Sequence, residues 1–113
     1  MLLIRASGLV ERIEPPGGAI GLLDADIFGR TLSSVDLVLG PGDTVLMYTD
    51  GLTETRDPEG RELGYEGLEA LALRYRTATL PDMVQAITGE IRSFAGTPDP
   101  HDDYTTLALR RTA

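Results

Sequence analysis

Along this chain the spacing of apolar residues changes from a period of two to a helical period and back. Residues 2–6 and 9–13 are short apolar runs parted by Ser7-Gly8. With Arg5, Val10 and Arg12 in alternation they predict a hairpin closed by a tight turn. Pro15-Pro16-Gly17-Gly18 then breaks regular structure, and Gly21-Leu22-Leu23 leads into acidic Asp24 and Asp26. In residues 32–39, Val35, Leu37 and Leu39 alternate with Ser34 and Asp36, as a strand with one wet face should. Gly40-Pro41-Gly42-Asp43 joins this stretch to residues 43–49, where Thr44-Val45-Leu46-Met47-Tyr48 is nearly all apolar. That run predicts a central strand covered on both faces, and the two segments together predict a second hairpin.

The period then lengthens. Tyr65, Leu68, Leu71, Ala72 and Tyr75 share one helical face. Thr79 is placed to cap a second helix, with Pro81 in its first turn and Asp82 three residues beyond the cap. Val84, Ile87, Ile91 and Phe94 form its apolar stripe, and Gly96 ends it. A Pro-rich loop at 97–101 precedes a last strand, 104–111, with Thr105, Leu107 and Leu109 on one side. The predicted order is four strands, two helices and one strand. This is an α+β arrangement, an antiparallel sheet with two helices on one face. Two helices cover one face only, so a sheet with such an apolar central strand lacks cover on the other. A strand starting this close to Met1 suggests a piece of something longer.

Composition narrows the function. The chain has 113 residues, 42% apolar and 25% charged, which suits one globular unit. No run approaches the ~20 apolar residues of a membrane span, and without cysteine there is no disulfide framework or thiolate metal site. A cytoplasmic protein is the plain expectation. Eighteen acidic residues against ten arginines give a net charge of -8. That disfavours nucleic-acid binding, which needs basic surface, and is compatible either with carboxylates that hold a hard cation or with a solubilising acidic surface.

Two stretches carry candidate chemistry. In Tyr48-Thr49-Asp50-Gly51-Leu52-Thr53-Glu54, a carboxylate stands at the end of a buried strand, followed by glycine, with Glu54 within reach. Such a carboxylate serves either as a rigid metal ligand or simply as the start of a turn. In His101-Asp102-Asp103-Tyr104-Thr105, adjacent carboxylates precede the last strand. Like charges so close raise each other's pKa unless a cation compensates; the alternative is a solvated acidic loop capped by Asp103. His101 is the only histidine, and reads either as a supporting group or proton donor or as a solvent-exposed loop residue.

Both stretches find one explanation in a family. Gly21-Leu22-Leu23, Leu39-Gly40-Pro41-Gly42-Asp43, the signature from Leu46 to Glu54, Glu59-Gly60-Arg61-Glu62-Leu63-Gly64 and Asp102-Asp103-Tyr104-Thr105-Thr106-Leu107 together resemble the metal-dependent serine/threonine phosphatases of the PPM class, in its SpoIIE-like bacterial branch. The resemblance implies that residues 1–113 are the C-terminal part of such a phosphatase domain, about half of a PPM-type αββα sandwich. It implies that Asp50 and Asp102 ligate a binuclear Mn²⁺ or Mg²⁺ centre, with Gly51, Glu54, Asp103 and His101 in supporting places. It further implies a phosphoprotein substrate of the anti-sigma-factor antagonist type and direct hydrolysis of phosphoserine or phosphothreonine. The family's N-terminal acidic ligands and its Gly-His element have no counterpart between Met1 and Ile13. The chain alone then supplies too few oxygens for a Mg²⁺ octahedron and is expected to be a weak or inactive enzyme. The alternative reading is a catalytically incomplete interaction module that forms a homodimer through the uncovered sheet face.

Overall fold

The computed structural model describes residues 1–17, 22–97 and 103–113. Seven elements follow one another: β1 (Leu2–Ile4), β2 (Val10–Arg12), α1 (Ala25–Thr31), β3 (Thr44–Tyr48), α2 (Gly64–Arg74), α3 (Leu80–Ala95) and β4 (Thr106–Arg110). The strands form one antiparallel sheet in the order β2-β1-β3-β4. The first hairpin closes as its sequence predicts, with Gly8 in the left-handed region and its amide bonded to the Arg5 carbonyl.

The second predicted hairpin does not form. Residues 32–39 make no strand, because β3 has given one edge to β1 and the other to β4. A strand needs a free ladder, and alternation alone cannot supply one. The segment instead runs as an irregular arm with Val38 80% exposed. The Gly40–Asp43 turn does form: the Asp43 amide bonds the Gly40 carbonyl at 3.0 Å, and Gly42 takes a φ of 84°. Pro followed by a positive-φ glycine is the pattern of a type II turn. Helix α1 is an addition to the predicted order. It is seven residues long with no buried residue, so it lacks the apolar stripe by which a sequence announces a helix.

The turn is tied down by one carboxylate. Asp43 Oδ1 accepts the Ala6 amide at 2.9 Å, and Oδ2 accepts Arg5 Nη1 and the Gly40 amide, each at 2.9 Å. The amide of Ala6 first, then the Arg5 guanidinium and the Gly40 amide, hold the Asp43 carboxyl down at about 2. A carboxylate with a depressed folded pKa contributes its stability above the ordinary value near 4 and loses it as pH falls towards 2. The stability gap between the native chain and Asp43→Asn is therefore expected to be full near about pH 6 and to close progressively between about pH 4 and pH 2. Urea midpoints taken across that range measure it, and a gap independent of pH would show that the charge contributes nothing.

Helices α2 and α3 cover one face of the sheet. Leu2, Ile4 and Leu46 point into that layer with Leu52, Leu68, Ala72, Met83, Ile87 and Ile91, all nearly or wholly buried. On α3 the buried line is Met83, Ile87 and Ile91, with Val84 and Phe94 at its flanks. Thr79 caps α3 as its sequence predicts, accepting the Asp82 amide, and Gly96 ends it in the left-handed conformation. Arg110 pins the α2–α3 connection to the sheet: its guanidinium donates to Thr44 Oγ1 at 2.8 Å and to the carbonyls of Ala78 and Arg76 at 2.6 and 2.9 Å. On the opposite face, set by the alternation of the strands, Leu3 and Val45 are buried, while Met47, Leu107 and Leu109 are 38%, 59% and 52% exposed. The helices cover one face and leave this one apolar, as the pattern of β3 implies.

Candidate functional site

The site begins where β3 ends. From Thr49 the chain makes one tight helical turn: the Leu52 amide bonds the Thr49 carbonyl, and the Glu54 amide bonds the Asp50 carbonyl at 2.9 Å. Two hydroxyls reinforce it, Thr53 on the Asp50 carbonyl and Thr55 on the Gly51 carbonyl. Leu52 is wholly buried and fastens the turn to the core. Its fixed position leaves Asp50 exposed at the sheet end. Asp50 enters none of the ion pairs among the described residues. It is a rigidly mounted carboxylate with its oxygens uncommitted to a cationic side chain.

The second stretch arrives beside it. The Thr49 amide donates to the Thr105 carbonyl at 3.1 Å, and the Thr105 amide returns a bond to Thr49 Oγ1 at 2.9 Å. Gly51 is the point of closest approach. A Cβ built there would lie 2.7 Å from the Asp103 carbonyl oxygen and 3.3 Å from Tyr104 Cβ. Glycine at this position is required by the neighbouring backbone rather than by a left-handed φ, since Gly51 is absent from the positive-φ glycines. The Asp50-Gly51 and Asp103-Tyr104 backbones thus meet at one end of the sheet. Gly51→Ala is expected to force them apart at about 1–3 kcal/mol, the usual cost of overpacking. Chemical denaturation measures the loss, and a midpoint unchanged from the native chain would mean that the contact yields freely.

Of the remaining candidates, Glu54 is exposed one helical turn from Asp50, and Asp103 is exposed at the approach to β4. His101 and Asp102 lie outside the described residues. Among the described residues no three carboxylate or imidazole groups gather as a metal cluster. The donor chemistry nonetheless fits a hard cation on one side: Asp50 is an exposed carboxylate, and its turn touches the chain directly next to Asp102.

The sequence reading missed a pocket. Between the Asp50–Glu54 turn and the end of α3 lies a cavity of about 420 Å³. Gly51, Thr55, Ile91 and Ala95 give it small and apolar walls, and Glu54, Arg56, Glu62 and Arg92 bring charges of both signs. The only hint in sequence is that Ile91 and Ala95 are one helical turn apart on the end of α3 that reaches the site.

Comparison with known proteins decides the family. The model of the family described as Stage II sporulation protein E (SpoIIE) matches residues 1–112. The chain belongs to the SpoIIE family. Its fold is that of part of a PP2C-type phosphatase domain, and it is SpoIIE-like within the PPM class. Over 98% of its length it superposes on the SpoIIE phosphatase domain of Bacillus subtilis, obtained after a manganese presoak, with a TM-score of 0.71, 17% identity and coverage of 45% of that chain. The SiaA-PP2C domain of Pseudomonas aeruginosa matches with a TM-score of 0.61 and 24% identity, over 66% of this chain and 31% of that one. Protein IcfG of Synechocystis is 27% identical over 112 residues, which are 98% of this chain and 17% of that protein. The SpoIIE-family chain therefore spans less than half the length of each of these relatives. Among its described residues no helix is long and apolar enough to cross a membrane.

Proposed function

We propose that this chain is the C-terminal part of a divalent-metal-dependent phosphatase domain acting on phosphoserine or phosphothreonine of a cytoplasmic regulatory protein of the anti-sigma-factor antagonist type. The observation that carries the reading is the contact at Gly51, which brings the two acidic segments, fifty residues apart in sequence, to one sheet end. In this reading Asp50 and Asp102 hold Mn²⁺ or Mg²⁺, with Glu54, Asp103 and His101 in support. Such a cation supplies charge that polarises the phosphoester and acidifies water. The protein's own contribution is positional. Leu52 buried beneath the turn and the paired bonds between Thr49 and Thr105 hold Asp50 at a fixed place, so no reorganisation is needed when substrate arrives. Water then displaces the seryl oxygen from phosphorus in one step, with no covalent enzyme intermediate.

Two carboxylates fall short of six oxygens, so the chain by itself is a weak enzyme and the remaining ligands come from sequence that this chain does not contain. A calorimetric Mn²⁺ titration of the chain tests the ligand assignment. Weak binding that disappears in both Asp50→Asn and Asp102→Asn is the expected result. Mn²⁺ binding that survives in both variants would overturn the assignment.

A second reading is favoured by a separate observation. The exposed apolar row of Met47, Leu107 and Leu109 suits a contact surface, and a catalytically incomplete interaction module would use it to form a homodimer. Sedimentation equilibrium of the native chain and of Leu107→Asp separates the cases. A dimer that the substitution dissociates supports the module, and a monomer in both sets it aside.

A further inference from the structure

The pocket beside the proposed metal edge is not explained by phosphate chemistry. A cavity of about 420 Å³ falls within the range of about 300–1,000 Å³ typical of ligand sites, which combine apolar walls with a few placed polar groups. Here the apolar wall is Ile91 and Ala95, and Gly51 forms the margin that the pocket shares with the Asp50 turn. The charges at its rim are unequal in kind. Arg56 is already neutralised by Glu62 and also donates to the Gly60 carbonyl. Glu54 stands on the side of the Asp50 turn, its amide bonded to the Asp50 carbonyl. Arg92 stands in the last turn of α3 and makes no ion pair among the described residues. The helix C-terminus favours a cation there, yet that field uses none of the five guanidinium donors. With Arg56 and Glu62 paired to each other, Glu54 and Arg92 are the lining charges that enter no ion pair among the described residues, and Arg92 is the one of the two that can pair an anion.

We propose that this pocket is the subsite for the substrate polypeptide next to its phosphorylated residue. It seats an apolar side chain on the half-buried Ala95 and Tyr104, beside the buried Ile91, and pairs an acidic neighbour with Arg92. The proposal rests on the phosphatase reading for the identity of the polypeptide, and on the geometry for the pocket. Glu54 works in the same direction, because its carboxylate repels an acid from the metal side and leaves Arg92 as the place where one is favoured. The subsite adds selectivity among phosphoproteins without touching the reacting atoms, so Arg92 is a specificity residue and not a catalytic one.

The test needs neither metal nor phosphate. Acetyl-Glu-Leu-Ser-Ala-amide and its Lys-for-Glu counterpart are titrated into the chain in EDTA, with the methyl resonances of Ile91 and Ala95 as the readout. The Glu peptide is expected to bind at least about fivefold more tightly than the Lys peptide, as a partly exposed charge pair allows. Arg92→Glu is expected to invert that preference. Ala95→Trp fills the cavity and is expected to abolish both binding events, with helix content by circular dichroism confirming that α3 is retained. The inversion by Arg92→Glu stands by itself if Ala95→Trp disturbs the fold. Asp50→Asn is expected to leave peptide binding unchanged, which separates this result from the metal assignment. Equal affinity for the two peptides in both the native chain and Arg92→Glu would overturn the subsite, and a Mn²⁺ titration sensitive to Asp50→Asn would then leave the phosphatase reading standing. Inversion together with Mn²⁺ binding that survives in both Asp50→Asn and Asp102→Asn would retain the pocket and remove the ligand assignment instead.

Discussion

Replacing Asp50 by Asn is expected to lower Mn²⁺-dependent hydrolysis of a phosphoserine peptide by on the order of a thousandfold, about 4 kcal/mol of transition-state stabilisation. The measurement belongs in a domain that joins this chain to the other half of the phosphatase fold. The effect is large because Asp50 is assigned as a ligand of the ion that carries the chemistry, and Asn keeps the shape while removing the charge. Stability should move by less than about 0.5 kcal/mol, the usual range for a surface substitution, since Asp50 is exposed and enters no ion pair among the described residues. Loss of turnover with an unmoved denaturation midpoint is thus the expected pair of observations. Activity within tenfold of the native domain at saturating Mn²⁺ would remove Asp50 from the ligand set. A fall in both quantities together would show that the turn, not the metal, depends on this side chain.

The second large effect concerns the core. Ile91→Ala is expected to cost about 2–5 kcal/mol, through the lost transfer energy of the side chain and the cavity left behind. Ile91 is 1% exposed and packs in the same cluster as Leu46, Leu68 and Ile87. With a urea dependence of roughly 1–3 kcal/mol per molar, the midpoint should fall by about 1 M or more. Leu71→Ala is a useful comparison, because both residues fall on an apolar stripe in sequence. Leu71 is only half-buried at the margin of the cluster, so its loss should lie below that of Ile91. Equal shifts from the two substitutions would mean that α3 is not the better-packed helix.

Much of this could be read before any coordinates. The hairpin at β1 and β2, the caps at Thr79 and Gly96, Leu68 and Ala72 on α2, Ile87 and Ile91 on α3 and the position of Asp50 at a strand end all follow from local pattern, whereas Met83, and not Val84 or Phe94, completes the buried line of α3. Local pattern misleads where a partner is needed. Residues 32–39 alternate well enough for a strand, yet both ladders of β3 are occupied. Asp43 looks like an ordinary turn residue, yet besides the local bond from Gly40 it accepts bonds from Ala6 and Arg5 across the fold. Gly51 looks like a glycine chosen for turning, yet what excludes a side chain there is the Asp103 carbonyl.

The sequence by itself determined the β1–β2 hairpin, the central strand β3, the helices α2 and α3 and the last strand β4, but neither α1 nor the irregular course of residues 32–39. These depend on the period of the apolar residues and on a few caps, all local along the chain. Only the tertiary structure decided that β1 and not residues 32–39 lies beside β3, that Arg110 locks the α2–α3 connection, and that a pocket opens between the Asp50 turn and α3. Those outcomes depend on which of several eligible edges and donors meet first-rate partners far away in sequence, and a one-dimensional pattern holds no record of that competition.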